Sequence, residues 1–206
     1  MRTFVALELP PEFIPSLHQI QARLQDRYPH FRWSREENHH ITLAFLGEVD
    51  EKGVALLQEA LQETLQNTAA FSISAGRIIT FPPGGAVRIL ALDIERGKND
   101  IRNLAACFEK KLAALGEREA YSFRKPETRP YTPHITLARK GGVAVTLPGD
   151  ERNWSIHAQG VIRKVTVFKS DLYREGPHYT ALAVFPLKPP EGPSYRLPTD
   201  ILKPER

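Results

Sequence analysis

Five letters, HITLA, occur twice in this chain, at residues 40–44 and again at 134–138. Both copies follow a polar lead-in, and both read as the opening of a buried β-strand. Side chains two apart on a strand share a face. His40 and Thr42 therefore project together, with Ile41 and Leu43 as apolar anchors behind them. The second copy repeats this with His134 and Thr136 in front of Ile135 and Leu137. A duplicated strand of this kind points to two similar lobes, each carrying one half of a site. With the two strands side by side, two imidazoles and two hydroxyls face one cleft. A neutral imidazole accepts a proton, an imidazolium donates one, and the hydroxyls can donate hydrogen bonds to the oxygens of an anionic centre.

The remaining segments predict an α+β chain. TFVALEL (3–9) reads as a strand ended by Pro10 and Pro11. Phe13, Leu17, Ile20 and Leu24 follow at helical spacing, and FRWSR (31–35) alternates as a short strand. A strong amphipathic helix starts after Asp50, which is the expected N-cap. FSISAGRIITF and AVRILALDIE read as two strands around the turn PPGG (82–85). The helix NDIRNLAACFEKKLAALG comes next, with Gly116 as the expected C-terminal cap. QGVIRKVTVFKSDL and HYTALAVFPLK close the fold as strands. The expectation is a single bilobal domain over residues 1–188, followed by a Pro-rich tail over 189–206.

Composition narrows the chemistry. A net charge of +4 suits an anionic ligand and is weaker than that of most DNA-binding domains, so no DNA partner is expected. One cysteine, Cys107, excludes a disulfide framework and a Cys-based zinc site, and its helical setting predicts a small core residue. The N-terminal apolar run is short and broken by Glu8, unlike a signal peptide, and no apolar segment approaches membrane-spanning length. A cytoplasmic protein without membrane contact is therefore expected. A metal site would have to draw on His39, His40, His134 and His178, which lack the spacing of an HxH or HExxH motif. A serine hydrolase would need a GxSxG elbow, and the sequence contains none.

Paired HxTx motifs on opposed strands resemble those of the two-histidine phosphoesterases. RTFVALELP, WSREENHHITLAFLGEVD and YTPHITLAR together resemble the RNA 2′,3′-cyclic phosphodiesterases, also known as 2′-5′ RNA ligases for the reverse reaction. KVTVFKSDL and HYTALAVFPL resemble the closing strand pair of that family, so the likeness runs from about Arg2 to Leu187. It implies two pseudo-twofold lobes of antiparallel sheet with helices outside and the active cleft between them. It implies hydrolysis of an RNA 2′,3′-cyclic phosphate end to a 2′-phosphate, with tRNA halves among the candidate substrates, without metal or other cofactor. His40 would protonate the leaving 3′-oxygen, His134 would take a proton from water, and Thr42 and Thr136 would hold the phosphoryl oxygens. Phe45 resembles a platform for the base and Arg139 a phosphate contact. Strict alternation turns both away from the His–Thr face, so a bend in each strand is required.

The neighbours of the two histidines differ. His134 lies near Arg139 and the cationic FRK and TRP segments, and a nearby cation disfavours the imidazolium, which also predicts His134 as the base. His39 points opposite to His40, towards solvent or a supporting position. Arg32, Arg35, Arg77, Arg124, Lys125 and Arg129 are candidates to track an RNA backbone, and YSFRKPETRPYTP (121–133) is the candidate rim. A monomer is assumed. Two other functions stay open on sequence alone: an RNA-binding module without turnover, and a phosphodiesterase for another small cyclic phosphate.

Overall fold

The computed structural model describes residues 1–83, 86–123, 130–140, 145–146, 154 and 156–189. In chain order the elements are β1 (Arg2–Glu8), α1 (Ile14–Arg27), β2 (Arg32–Trp33), β3 (His40–Glu48) and α2 (Glu51–Leu65). They continue with β4 (Phe71–Phe81), β5 (Ala86–Val87), β6 (Ile89–Ile94), α3 (Lys98–Arg118) and β7 (His134–Arg139). The last are β8 (Val145–Thr146), β9 (Gln159–Ile162), β10 (Lys164–Tyr173) and β11 (Gly176–Pro186).

The main sheet has the strand order β11-β10-β1-β3-β7-β6-β4-β9, with β2 added beside β7. Each of these neighbours pairs antiparallel, and β5 pairs separately with β8. The two repeat strands, β3 and β7, lie at the middle of this order. They meet with Ile41 opposite Ile135, the same position of each motif. A pseudo-twofold axis through that pair relates β3 to β7 and β1 to β6. The α+β bilobal expectation is met, with one sheet running continuously through both lobes.

The core lies on the face of the sheet that carries the two isoleucines. Ile41, Leu43, Ile135 and Leu137 are buried in one cluster with Leu17, Leu24, Leu57, Leu61 and Phe108 of the helices. Each fully buried aliphatic side chain contributes about 1.5–3 kcal/mol. The helices present apolar stripes at three- and four-residue spacing: Leu17, Ile20 and Leu24 in α1, and Leu57, Ala60, Leu61 and Leu65 in α2. Asp50 caps α2 as expected, accepting from the backbone N–H of Gly53 at 2.8 Å.

Three local expectations are corrected. Gly116 does not end α3, which runs on to Arg118. Its missing Cβ instead lets the returning chain approach, because a Cβ there would stand 2.8 Å from the carbonyl oxygen of Tyr121. Cys107 is exposed, not core, because the buried stripe of α3 runs through Leu104, Ala105 and Phe108. AVRILALDIE forms two pieces, β5 and β6, since Arg88 between them donates its N–H to Phe81 and accepts from Lys140. Gly84 and Gly85 of the PPGG turn lie outside the described residues, as do residues 190–206 of the tail. No helix among the described residues is long and apolar enough to cross a membrane.

Candidate active site

The register at Ile41 and Ile135 determines what the cleft face displays. Both isoleucines are fully buried, so the residues on either side of them point to the opposite face. Antiparallel pairing then sets His40 against Thr136 and Thr42 against His134. All four polar side chains share one patch of the sheet, with each hydroxyl two residues along the strand from its own histidine and across from the other, and the two imidazoles on the diagonal.

The required bends are present as β-bulges, at the same place in both strands. Thr42 faces Ala6 and Ala44 faces Val5, which leaves Leu43 unopposed. Thr136 faces Ala91 and Ala138 faces Leu90, which leaves Leu137 unopposed. Two consecutive residues in each strand, Leu43–Ala44 and Leu137–Ala138, are consequently buried. The extra residue inverts the alternation, so Phe45 and Arg139 come round to the His–Thr face. Phe45 is 52% exposed and lies 6.0 Å from the ring of Phe4. The half-sites match up to this point and differ here, with an aromatic ring in one and a guanidinium in the other.

Each imidazole is fixed by its own lead-in. Nδ1 of His40 donates to the carbonyl of Asn38 at 2.8 Å, and Nδ1 of His134 donates to that of Thr132 at 2.8 Å. A carbonyl only accepts, so the proton of each neutral ring sits on Nδ1 and Nε2 is left as an acceptor. Nε2 of His40 accepts from the Thr42 hydroxyl at 3.0 Å. Nε2 of His134 has no hydrogen-bond partner among the described residues. Aromatic rings back both imidazoles. Phe4 lies 4.9 Å and Tyr179 5.4 Å from His40, and Phe81 lies 4.7 Å from His134. Tyr131 joins the half-sites by donating its hydroxyl to the Thr42 carbonyl at 2.7 Å. Sequence reading missed these rings. Alternation in TFVALEL places Phe4 on one face, but nothing in the letters says which ring it meets.

Electrostatics favour neutral rings in the free protein. Burial pushes the pKa of His40 down to about 4, against the Asn38 hydrogen bond, and the charges of Arg139 and His134 add to the fall. Burial also lowers His134, helped by Arg139 and opposed by the Thr132 hydrogen bond and the Asp93 carboxylate. Arg139 thus acts on both rings, because the bulge brings it over the shared patch. The expected selective effect on His134 is corrected accordingly. Each histidine faces a lysine-paired carboxylate in the ladder, Glu8 with Lys164 at 2.6 Å opposite His40 and Asp93 with Lys98 at 2.7 Å opposite His134, but only Asp93 is felt at its ring, and that is the asymmetry.

His39 is buried, not solvated, at 7% exposure, and among the described residues neither of its ring nitrogens has a partner. It points into the core, as the residue next to His40 must. His178 rests against the Tyr173 ring at 4.8 Å and lies 3.8 Å from Glu175. The four histidines considered for a metal do not converge, and among the described residues no group of three or more His, Cys, Asp or Glu is placed to hold one. Arg32, Arg35 and Arg77 are exposed, while Arg124, Lys125 and Arg129 lie outside the described residues.

The family model described as LigT like Phosphoesterase matches residues 7–88. The RNA 2′,3′-cyclic phosphodiesterase of Thermotoga maritima is 30% identical over 139 residues, covering 68% of this chain and 70% of its own. That of Geobacillus stearothermophilus is 30% identical over 192 residues, and the chain spans 56% of that relative's length. That of Escherichia coli is 29% identical over 88% of this chain and 93% of its own. A crystallised protein of Thermus thermophilus has the same fold, with a TM-score of 0.75 at 25% identity over 92% of this chain and 99% of its own. Escherichia coli LigT crystallised with 3′-AMP shares the fold at a TM-score of 0.72 and 24% identity, over 90% of this chain and 97% of its own. A continuous α+β sheet with a duplicated imidazole–hydroxyl half-site is the architecture of a two-histidine phosphoesterase. Within that class, the chain belongs to the LigT-like phosphoesterase family of RNA 2′,3′-cyclic phosphodiesterases.

Proposed function

We propose that this protein hydrolyses 2′,3′-cyclic phosphate ends of RNA to 2′-phosphates, with His40 and His134 as the acid–base pair. The carrying observation is the pairing of Ile41 with Ile135, which puts both HxT triplets on one face. Water attacks phosphorus as His134 Nε2 takes its proton. The bond from phosphorus to the 3′-oxygen breaks, and His40 Nε2 delivers a proton to that oxygen. A 2′-phosphomonoester and a free 3′-hydroxyl result, and when the 5′-hydroxyl of a second RNA attacks in place of water, the same ring opening leaves a 2′-5′ phosphodiester and a free 3′-hydroxyl. Acid and base must flank phosphorus for in-line displacement, and a pseudo-twofold supplies opposed groups. Thr42 and Thr136 hold the non-bridging oxygens, Arg139 balances the developing charge, and Phe45 offers its exposed face to the terminal base.

Asp93 supports the division of labour, because a carboxylate near His134 stabilises the imidazolium formed when that ring accepts a proton. The low proton affinity of His40 suits an acid, once the anionic phosphate has loaded the ring. The donors and acceptors suffice without a metal ion. The monomeric, cytoplasmic form is part of the same proposal. The test is turnover of a nucleoside 2′,3′-cyclic phosphate after exhaustive chelation. Activity that persists in EDTA supports the reading, and activity lost in EDTA and restored by a divalent ion contradicts it.

A further inference from the structure

Arg32 and Arg139 stand directly opposite each other in the ladder between β2 and β7. Opposed residues of an antiparallel pair share a face, with Cβ atoms about 4.5–5.5 Å apart. The bulge at Leu137 turns Arg139 to the cleft, so Arg32 projects to the cleft as well. Trp33, opposite the buried Ala138, points the other way, as alternation requires. Both arginines are exposed, and among the described residues neither has an ion-pair partner. The other ladder neighbour of Arg139 is Ile89, which brings no countercharge. Like charges directly opposite repel, and an anion between or beside them removes that cost.

The two guanidiniums reach different distances into the site. The charge of Arg139 is felt at His40, His134 and Tyr179, which places it at the imidazoles. Arg32 is not among the charges felt at either histidine, and β2 pairs only with the last two residues of β7, beyond the His–Thr triplet. One cation thus serves the group between the histidines, and the next stands outward from it on the same face. A single cyclic phosphate needs only the first. A chain of nucleotides carries a second phosphate on the 5′-oxygen of its terminal residue.

We propose that Arg32 forms a second phosphate subsite, for the phosphodiester on the 5′ side of the terminal nucleotide, so that the site selects RNA chains over free nucleotides. This rests on the cyclic phosphodiesterase reading above. Planar guanidinium donors suit a phosphate's oxygens, and an exposed position suits a ligand that leaves the cleft towards solvent.

The experiment compares kcat/KM for three substrates: a nucleoside 2′,3′-cyclic phosphate, its 5′-phosphorylated form, and a dinucleotide ending in the same cyclic phosphate. The dinucleotide should be preferred over the nucleoside by about tenfold, the scale of one charged hydrogen-bonded contact. Arg32→Gln should abolish that preference while leaving turnover of the nucleoside unchanged, and Arg32→Lys should retain part of it. For the dinucleotide, the slope of log(kcat/KM) against log salt should flatten by about 0.7 in Arg32→Gln, one phosphate contact on a single strand. No dinucleotide preference in the wild type would overturn the subsite. So would a preference that survives Arg32→Gln, or an equal loss on the nucleoside. A preference confined to the 5′-phosphorylated nucleoside would overturn the RNA chain as its source. Absence of turnover on all three substrates would contradict the underlying activity, whereas turnover of the nucleoside without preference contradicts the subsite alone.

Discussion

His39 and His40 are adjacent letters with opposite surroundings, because consecutive strand residues face opposite sides. His40 has a hydrogen bond on each ring nitrogen, while His39 has none among the described residues and lies in the core. Burial lowers the pKa of His39 from 6.5 to about 4, with a further push from His18. The unfolded chain therefore binds the proton first as pH falls. Stability should drop from pH 6.5 downwards, with about 3 kcal/mol from this ring fully lost once pH is below 4. His39→Leu should be neutral or stabilising at pH 7, since it removes an unsatisfied buried polar group, and should flatten the acid limb of a melting-temperature profile. An unchanged acid limb would show that His39 is not the ring responsible. The proposed acid–base pair is tested by rescue. His40→Ala and His134→Ala should each cost about a hundred-fold or more in hydrolysis. A substrate with an activated 3′-leaving group needs no acid and should rescue His40→Ala far more than His134→Ala. Rescue of His134→Ala alone would reverse the roles.

At the scale of elements, the bulges at Leu43 and Leu137 convert a repeated sequence into a working face. The repeat, the three helices and the His–Thr pairing were legible in the letters, because they follow from periods of two and 3.6 residues. The positions of Phe45 and Arg139 were legible only as a requirement for a bend. A bulge is a relation between two strands, and a single strand's letters do not record its partner's register. The same limit hid Asp93, whose place opposite His134 depends on β6 pairing with β7. It also hid Tyr131, whose hydroxyl reaches β3 from the segment leading into β7. Tyr131→Phe should lower stability by about 1 kcal/mol by leaving the Thr42 carbonyl unsatisfied. It should also lower kcat more than a surface Tyr→Phe control, since the bond ties one motif strand to the approach to the other. Unchanged stability and kcat would mean the tether is dispensable.

Across the whole molecule, both lobes share one core cluster and one sheet, so thermal unfolding should be a single cooperative transition. The molecule also imposes a common electrostatic setting on its two imidazoles. Both have pKa values below 6.5 in the free protein, so kcat/KM should peak on the acid side of 6.5. Bound anionic phosphate favours the imidazolium and raises both pKa values, so the kcat profile should lie at higher pH than the kcat/KM profile. A kcat/KM maximum well above neutrality would contradict this ordering. Everything proposed for the molecule depends on one cleft, built from two copies of one strand, opening the cyclic phosphate at its 3′-oxygen as His134 takes a proton from water and His40 gives one to the leaving oxygen. Phosphorus NMR of the product formed from an RNA 2′,3′-cyclic phosphate end in EDTA decides this. The wild type should give a 2′-phosphate, and His40→Ala and His134→Ala should give no detectable product over the same interval. A 3′-phosphate, or undiminished turnover by either variant, would contradict the mechanism.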